Sequence, residues 1–380
     1  MEEKREMQDS DNMNHFPGNH GDEESQQAEN PGTVEEQDSR FQAGEQSSTR
    51  NVGIDLGYGF VKFIDNEKTV MFPSIVGSGD DIQYQSEMVM ETDPLENLHI
   101  EIGSESFFVG DLAIRQSEIV SRSLDQDRSK DKNSKVLMLT ALNLMCTRDD
   151  QQFNVVSGLP TNYYAAYKDD WKNSLTGSYK TSIWREGQLW ERNFHIKNAR
   201  IVPQPFGTLF NLLLNNNGEI VDQDLTREMV GIVDIGYKTT DLAVSYNTEF
   251  IDRLSFSTTT ALSTISRLIG DKLRREYKVD KEDHMLDECI SKKTVKIAGK
   301  EHDISAWVDN AFKMVAGKIA TEIESKWDFK QFDRILLTGG GGQEMSSYII
   351  NSFPNMVLVE EAQFANVRGY QKLAQKIFNG

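Results

Sequence analysis

VGIDLGYGFVKF, residues Val52–Phe63, and GIVDIGYKTTDLAV, residues Gly231–Val244, share one pattern. Each runs as an apolar strand, an Asp, an apolar residue, Gly-Tyr, a short bend and a second strand. Each therefore reads as a β-hairpin. Gly57, Gly59 and Gly236 can take φ above zero and bring bare backbone N–H groups against an anion. Asp55 and Asp234, ending the incoming strands, would sit beside that anion and hold a hydrated Mg²⁺. Either hairpin alone is compatible with a plain strand–turn–strand. The ordered, widely separated pair predicts two lobes that clamp a phosphate.

Strands and helices alternate on both sides of this repeat. In the first half, Phe153–Pro160 is an apolar strand, and Val136–Met145 is a helix too apolar for the surface. Tyr163–Leu175 follows as an amphipathic helix, Trp184–Ile196 as a hairpin turning at Gly187, and Ala199–Val202 as a separate strand. A small inserted sheet is expected between Gly77 and Asp111, and a charged loop over Asp125–Lys135. In the second half, Thr258–Tyr277 and Ala306–Trp327 read as helices, with a polar accessory segment between them over Val279–Ile304. The strand Arg334–Thr338 enters a loop of four glycines, Gly339–Gly342, before a helix from Glu344. Phe364–Phe378 is the closing helix. The predicted fold is α/β, with two related domains facing a cleft. The expected boundaries are an acidic tail over 1–50, a first domain over 51–215 to which helix 366–380 returns, and a second domain over 225–365.

The chain has 380 residues and a formal net charge of -19. Much of that charge precedes Asn51, where few apolar residues stand, so the tail is expected to be disordered. Net acidity argues against direct nucleic-acid binding. Cys146 and Cys289 have no CxxC spacing, which fits a reducing cytoplasm without a disulfide framework or zinc site. No apolar run reaches membrane-spanning length, and the acidic N-terminus lacks the apolar core of a signal peptide.

Gln204 lies between Pro203 and Pro205, after a strand and before a helix. Two prolines restrict the backbone around it, so its side chain is held. Lys62 ends the first motif, and Lys272 and Arg275 lie on a helical stretch ahead of the four glycines.

Asp55-x-Gly57-x-Gly59-x-x-Lys62 resembles the first phosphate loop of actin-like ATPases. Asp234-x-Gly236-x-x-Thr239-x-Asp241 resembles the second, shared by actins, Hsp70 chaperones and sugar kinases. Val202–Leu209, Thr338–Gly342 and Phe364–Leu373 are similar to plasmid-segregation actins of the ParM type, and the resemblance runs from about Asn51 to the C-terminus. It implies a two-lobed actin-like fold with a small subdomain inserted in each domain. It implies binding of ATP with Mg²⁺ at Gly57, Tyr58, Gly59, Lys62, Gly236, Tyr237, Lys238 and Thr239. Gly339, Gly340, Gly341 and Gly342 would support the adenosine, within reach of Lys272 and Arg275. Asp55 and Asp234 would organise Mg²⁺ through water, and Gln204 would orient the attacking water. Tyr58, Tyr237 and Lys238 make these hairpins bulkier than usual.

By the same resemblance the protein would be an ATPase that polymerises with Mg·ATP and disassembles after slow hydrolysis. Its partners would be other copies of itself and a DNA-bound adaptor. A filament scaffold positioning an organelle or phage genome is an alternative that the sequence does not separate from plasmid segregation. A monomeric sugar or acetate kinase would need a carboxylate base where Gln204 stands. An Hsp70-like chaperone would need a peptide-binding domain after the ATPase, and the sequence ends at Gly380.

The acidic tail generates a prediction. Like-charged tails on neighbouring filament subunits repel over a Debye length, about 10 Å at 0.1 M salt. Removing residues 1–48 is expected to lower the critical concentration for assembly at low salt and leave nucleotide affinity unchanged. Sedimentation across a salt series checks this; equal critical concentrations at every salt would rule out repulsion.

Overall fold

β1 (Arg50–Leu56) and β2 (Phe60–Asp65) form the first hairpin, extended antiparallel by β3 (Lys68–Pro73). β1 is buried on both faces from Asn51 to Leu56, as befits a strand in a sheet with a parallel neighbour. After it come β4 (Val76–Ser78), β5 (Leu98–Ile102), β6 (Glu105–Val109), α1 (Asp111–Gln116) and β7 (Val120–Ser121). The first half is completed by α2 (Lys132–Met145), β8 (Gln151–Leu159), α3 (Thr161–Leu175), β9 (Gly177–Arg185), β10 (Gln188–Pro203) and α4 (Phe206–Leu213). In the second half, β11 (Met229–Ile235) and β12 (Thr240–Tyr246) form the second hairpin, followed by β13 (Glu249–Phe250), β14 (Phe256–Thr258), α5 (Leu262–Tyr277) and α6 (Asp283–Lys292). The hairpin of β15 (Thr294–Ile297) and β16 (Lys300–Asp303) precedes α7 (Ser305–Glu324), β17 (Arg334–Thr338), α8 (Gly339–Ile349), β18 (Met356–Leu358) and α9 (Ala365–Phe378). This computed structural model describes residues 49–379 except 66–67, 80–92, 118–119, 122–126 and 186–187. The acidic tail up to residue 48 and Gly187 lie outside the described residues.

The two halves repeat one topology. In the first sheet the order β3-β2-β1-β8-β10 places an antiparallel hairpin beside two parallel strands. In the second, β12-β11-β17-β18 does the same, with β13 and β14 on the outer side of β12. The hairpins thus occupy equivalent positions in two α/β lobes. Each lobe has its own core, around Ile54, Leu139 and Phe153 in the first and around Val233, Ile319 and Leu337 in the second. A third core joins them, drawing Val156 and Leu209 from the first half, Ile232 and Leu336 from the second, and Tyr370 and Leu373 from α9. Among the described residues, no helix is long and apolar enough to cross a membrane. Cys146 and Cys289 are buried free thiols.

Several elements differ from the sequence-based expectation. The segment after Gly77 is not a separate sheet: β5 pairs with β9, so β5, β6, β4 and β7 continue the main sheet to ten strands. The expected hairpin arm and the strand 199–202 are one strand, β10, which stays continuous through an irregularity between Ile196 and Asn198. The charged stretch is helical from Lys132, because the Asp131 side chain accepts from the Asn133 and Ser134 N–H groups and caps α2, an interaction of about 1 kcal/mol. Thr258 ends a strand rather than starting a helix. The four glycines form no loop; they are the first turn of α8.

The chain returns to the first lobe through α9. Gly53 N–H donates to Gln371 Oε1 at 2.9 Å, and Gln371 Nε2 donates to the Asn51 carbonyl at 2.8 Å. α9 crosses α4 at Gly369 and Gly207, where a Cβ added to Gly369 would lie 1.6 Å from the Gly207 carbonyl oxygen. Only backbone without side chains can pack this closely. Gly369→Ala is therefore expected to destabilise the protein by about 3 kcal/mol or more, because the helices must separate. Gly317→Ala, on the exposed face of α7 with nothing near its added Cβ, should instead stabilise by roughly 0.5–1 kcal/mol. Thermal melting of both variants checks the contrast, and an unshifted Gly369→Ala would disprove the close crossing.

Candidate functional site

The site is built from strand ends. In β1 and β2, Asp55 faces Lys62 directly across the hairpin. Cross-strand partners share a face of the sheet, and Lys62 Nζ lies 3.5 Å from Asp55 Oδ2. In β11 and β12 the equivalent pair is Asp234 and Asp241, and Asp234 also neighbours Thr338 of β17. Where the first hairpin pairs a carboxylate with an ammonium, the second sets two carboxylates opposite each other, an unfavourable arrangement on its own.

Three carboxylates are thus buried at the centre of the molecule, with Asp55 and Asp241 at 3% exposure and Asp234 at 8%. Asp241 is fixed across the lobes: its Oδ1 accepts the Thr161 N–H at 2.9 Å and the Ser257 hydroxyl, and its Oδ2 accepts Thr239 Oγ1 at 2.8 Å. Thr161 opens α3, so the second lobe supplies an anion to the positive end of a first-lobe helix. Asp234 Oδ2 accepts Asn366 Nδ2 at 2.7 Å. The same Asn366 side chain accepts from Thr208 N–H and Oγ1 through its Oδ1 at 3.1 and 2.9 Å. One amide on α9 therefore links α4 to β11. Burial, and then repulsion from Asp241 and Asp55, push the Asp234 carboxyl up to about 7.

Gln204 is held as its flanking prolines imply. Its N–H donates to the Leu159 carbonyl at 2.8 Å, its carbonyl accepts the Tyr370 hydroxyl at 3.0 Å, and its Nε2 donates to Asp55 Oδ1 at 3.1 Å. The side-chain amide stands beside the carboxylate that also faces Lys62.

The two turns meet. A Cβ on Gly59 would lie 3.1 Å from Tyr237 Cβ, and Lys238 Nζ sits 5.0 Å from the Tyr58 ring centroid. Each turn is closed in the same way, by Gly57 N–H to the Phe60 carbonyl at 3.1 Å and Gly236 N–H to the Thr239 carbonyl at 2.9 Å. None of Gly57, Gly59 and Gly236 uses the positive φ open to glycine; an added Cβ would instead crowd the Phe60 carbonyl at 2.9 Å, Tyr237 Cβ at 3.1 Å and the Thr239 carbonyl at 3.1 Å respectively. Gly339 does have positive φ, +84°, and its added Cβ would strike Asp234 Oδ1 at 2.4 Å. A Cβ on Gly341 would strike Ile235. These glycines bring the start of α8 against the second hairpin, while Gly340 and Gly342 have ordinary room. Lys272 lies over the Trp307 ring at 4.5 Å, and Arg275 is exposed on α5. Thus Asp55, Lys62, Gln204, Asp234, Thr239 and Gly339 converge around the paired hairpins, whereas Lys272 packs on Trp307.

Asn366, Thr208, Tyr370 and Arg128 went unassigned in the sequence. The first three lie in segments that carry the family resemblance, but nothing local marks them as partners of Asp234 or Gln204. Asp241 stood in the second motif without a role. Among the described residues, no three His, Cys, Asp or Glu side chains form a metal cage. The mutual repulsion of three buried carboxylates fits a hydrated Mg²⁺ held jointly with phosphates rather than by protein ligands alone.

The raised Asp234 carboxyl carries a sign. Unfolded, it ionises near 3.8; folded, near 7. It costs nothing below the lower value, costs progressively more stability as pH rises through this window, and levels off above it. Asp234→Asn removes the ionisation, so the melting temperature of the variant relative to wild type should rise between about pH 4 and pH 7. A pH-independent difference would show that Asp234 is not the titrating group.

Residues 53–207 match the actin-like protein N-terminal domain family, and residues 232–349 match the C-terminal domain of archaeal MreB-like actin homologues. No protein of curated function matches the sequence. Among solved structures, the fold is similar to a ParM filament from Clostridium botulinum, with a TM-score of 0.74 and 24% identity over 86% of this chain and 99% of that one. It is also similar to an archaeal actin homologue in complex with ADP, with a TM-score of 0.71 and 21% identity over 86% and 99% of the two chains. ParM from Bacillus thuringiensis with AMPPNP aligns with a TM-score of 0.66 and 16% identity over 85% and 98%.

Proposed function

From the premise that this chain is an actin-like protein, we propose that it is an ATPase that polymerises with Mg·ATP and disassembles after slow hydrolysis. The observation that carries this reading is the convergence of Asp55, Lys62 and Gln204 on one lobe with Asp234 and Thr239 on the other, at two hairpins in contact. The nucleotide's phosphates would lie between the hairpins. Lys62 would place positive charge against them. Asp55 and Asp234 would orient the water shell of a Mg²⁺ ion, which when bound would neutralise charge on the phosphates. Gln204, anchored by its backbone and by Asp55, keeps its amide oxygen to orient a water for attack. An amide positions water but is a poor base, so hydrolysis is slow. It also argues against a sugar-kinase reaction, which needs a carboxylate there.

The link to assembly is lobe closure. Asp241 at the start of α3, the Asn366 bridge and the shared core join the lobes. A terminal phosphate bound between the hairpins would bias their relative setting, and subunit contacts would favour one setting. The cargo we propose is plasmid or other DNA, engaged through a DNA-bound adaptor because the chain is strongly acidic. The relatives named ParM support that choice over an organelle or phage-genome scaffold.

Light scattering of the purified full chain should rise with Mg·ATP, rise little with ADP, and stay flat without nucleotide. Gln204→Ala should lower phosphate release by roughly 10–100-fold and leave filaments long-lived, while Asp234→Ala should abolish release. Wild-type turnover by both variants would refute the assigned roles, and absence of nucleotide-dependent scattering would refute the polymer.

A further inference from the structure

Arg128 lies in the turn ahead of α2, in a stretch whose composition reads as a solvated charged loop. It is instead almost wholly buried, at 1% exposure, among the largest fully buried side chains. Neither terminal guanidinium nitrogen has a hydrogen-bond partner among the described residues. The turn itself is tightly held: the Asp127 carboxylate accepts from the Ser129 N–H and hydroxyl and pairs with Lys130.

The ionisable groups whose fields act on this guanidinium come from several elements. They are Asp55 at the end of β1, Tyr58 in the first turn, Tyr370 on α9 and Asp131 at the cap of α2. Asp241 on β12 feels its charge as well. The electrostatic neighbours of this buried group thus belong to the two hairpins, α9 and the cap of α2. Arg128 is not the ion-pair partner of these carboxylates. Asp55 is bonded to Gln204 and faces Lys62, and both oxygens of Asp241 are bonded to Thr161, Ser257 and Thr239. A buried guanidinium with a bare fork is costly unless a bidentate anion completes it. A phosphoryl group presents the matching pair of oxygens.

The end of the nucleotide is also set by this placement. Arg128 shares Asp55 with Gln204 and Lys62, the residues assigned above to the attacked phosphate. The nucleoside-side candidates, Gly340 and Lys272, belong to α8 and α5 in the other lobe. Resting on the nucleotide-binding reading given above, we propose that Arg128 binds the terminal phosphoryl group of a nucleoside triphosphate. The cleft would thereby distinguish triphosphate from diphosphate. A guanidinium from the first lobe, within the field of Asp241 of the second, would make lobe closure depend on that one group.

The test is binding of AMPPNP and ADP, each with Mg²⁺, to purified full-length wild type, Arg128→Gln and Arg128→Lys, by calorimetry. Both variants should lose roughly 10–100-fold in AMPPNP affinity, as expected for a lost charge-assisted fork, and stay within about 3-fold of wild type for ADP. Melting without nucleotide separates this from a structural role. Removing an unpartnered buried charge should leave the Arg128→Gln melting temperature unchanged or raise it, and the extra protection that AMPPNP gives over ADP should vanish. A lowered melting temperature with equal loss for both nucleotides would overturn the proposal, as would an unchanged preference for AMPPNP. If wild type binds neither nucleotide, the nucleotide-binding reading falls together with this inference. If wild type binds AMPPNP and the variants bind it equally, this inference falls alone.

Discussion

Three carboxylates taken out of water at the junction of two sheets set the terms for the rest of this molecule. Asp55, Asp234 and Asp241 end or begin strands of the two central hairpins, and all are buried. Burying charge is unfavourable unless each oxygen has a partner or a proton. The fold meets that demand with partners from within each hairpin and from distant segments: Lys62 and Gln204 for Asp55, Asn366 for Asp234, and Thr239, Thr161 and Ser257 for Asp241. Among the described residues Asp234 has one hydrogen-bonding side-chain neighbour, Asn366, and its carboxyl is the one pushed up to about 7.

The same partners hold the lobes together. Asn366 cannot reach Asp234 and Thr208 at once unless α9 passes close over α4, and that passage requires glycine at 207 and 369. Tyr370 on α9, together with the Leu159 carbonyl, holds the backbone from which Gln204 faces Asp55. Packing without side chains at one crossing therefore helps position the Gln204 amide of one lobe and the Asp234 carboxylate of the other. Substitutions at this crossing should disturb stability and chemistry together.

Much of the site was legible because it is local and doubled. A strand ending in Asp before Gly-Tyr appears twice, and each copy folds as the hairpin its alternation implies. Gln204 could be picked out because two prolines restrict it whatever surrounds it. The interior character of α2 and β17 followed from apolar runs that have no solvent face. By contrast, the positive φ that glycine permits at Gly57, Gly59 and Gly236 goes unused. The turns use the ordinary conformations, and contacts with Phe60, Tyr237 and Thr239 explain the glycines.

The four glycines from 339 show where local reasoning ends. Glycine is a poor helix former, so the sequence favours a loop, yet these residues open α8 because backbone must approach Asp234 and Ile235. Arg128 shows the same division. Its neighbours in sequence are polar and charged, yet its side chain is almost wholly buried, which no nearby pattern reveals. By itself the sequence determined the repeated hairpins, the α/β alternation and the residues that end the strands, because strand period, turn chemistry and proline act over a few residues. Tertiary structure alone decided which partners reach the carboxylates: Asn366 and Asp234 are 132 positions apart, and Gln204 and Asp55 are 149 apart. Contacts at such separations exist only once two lobes and a returning helix have packed.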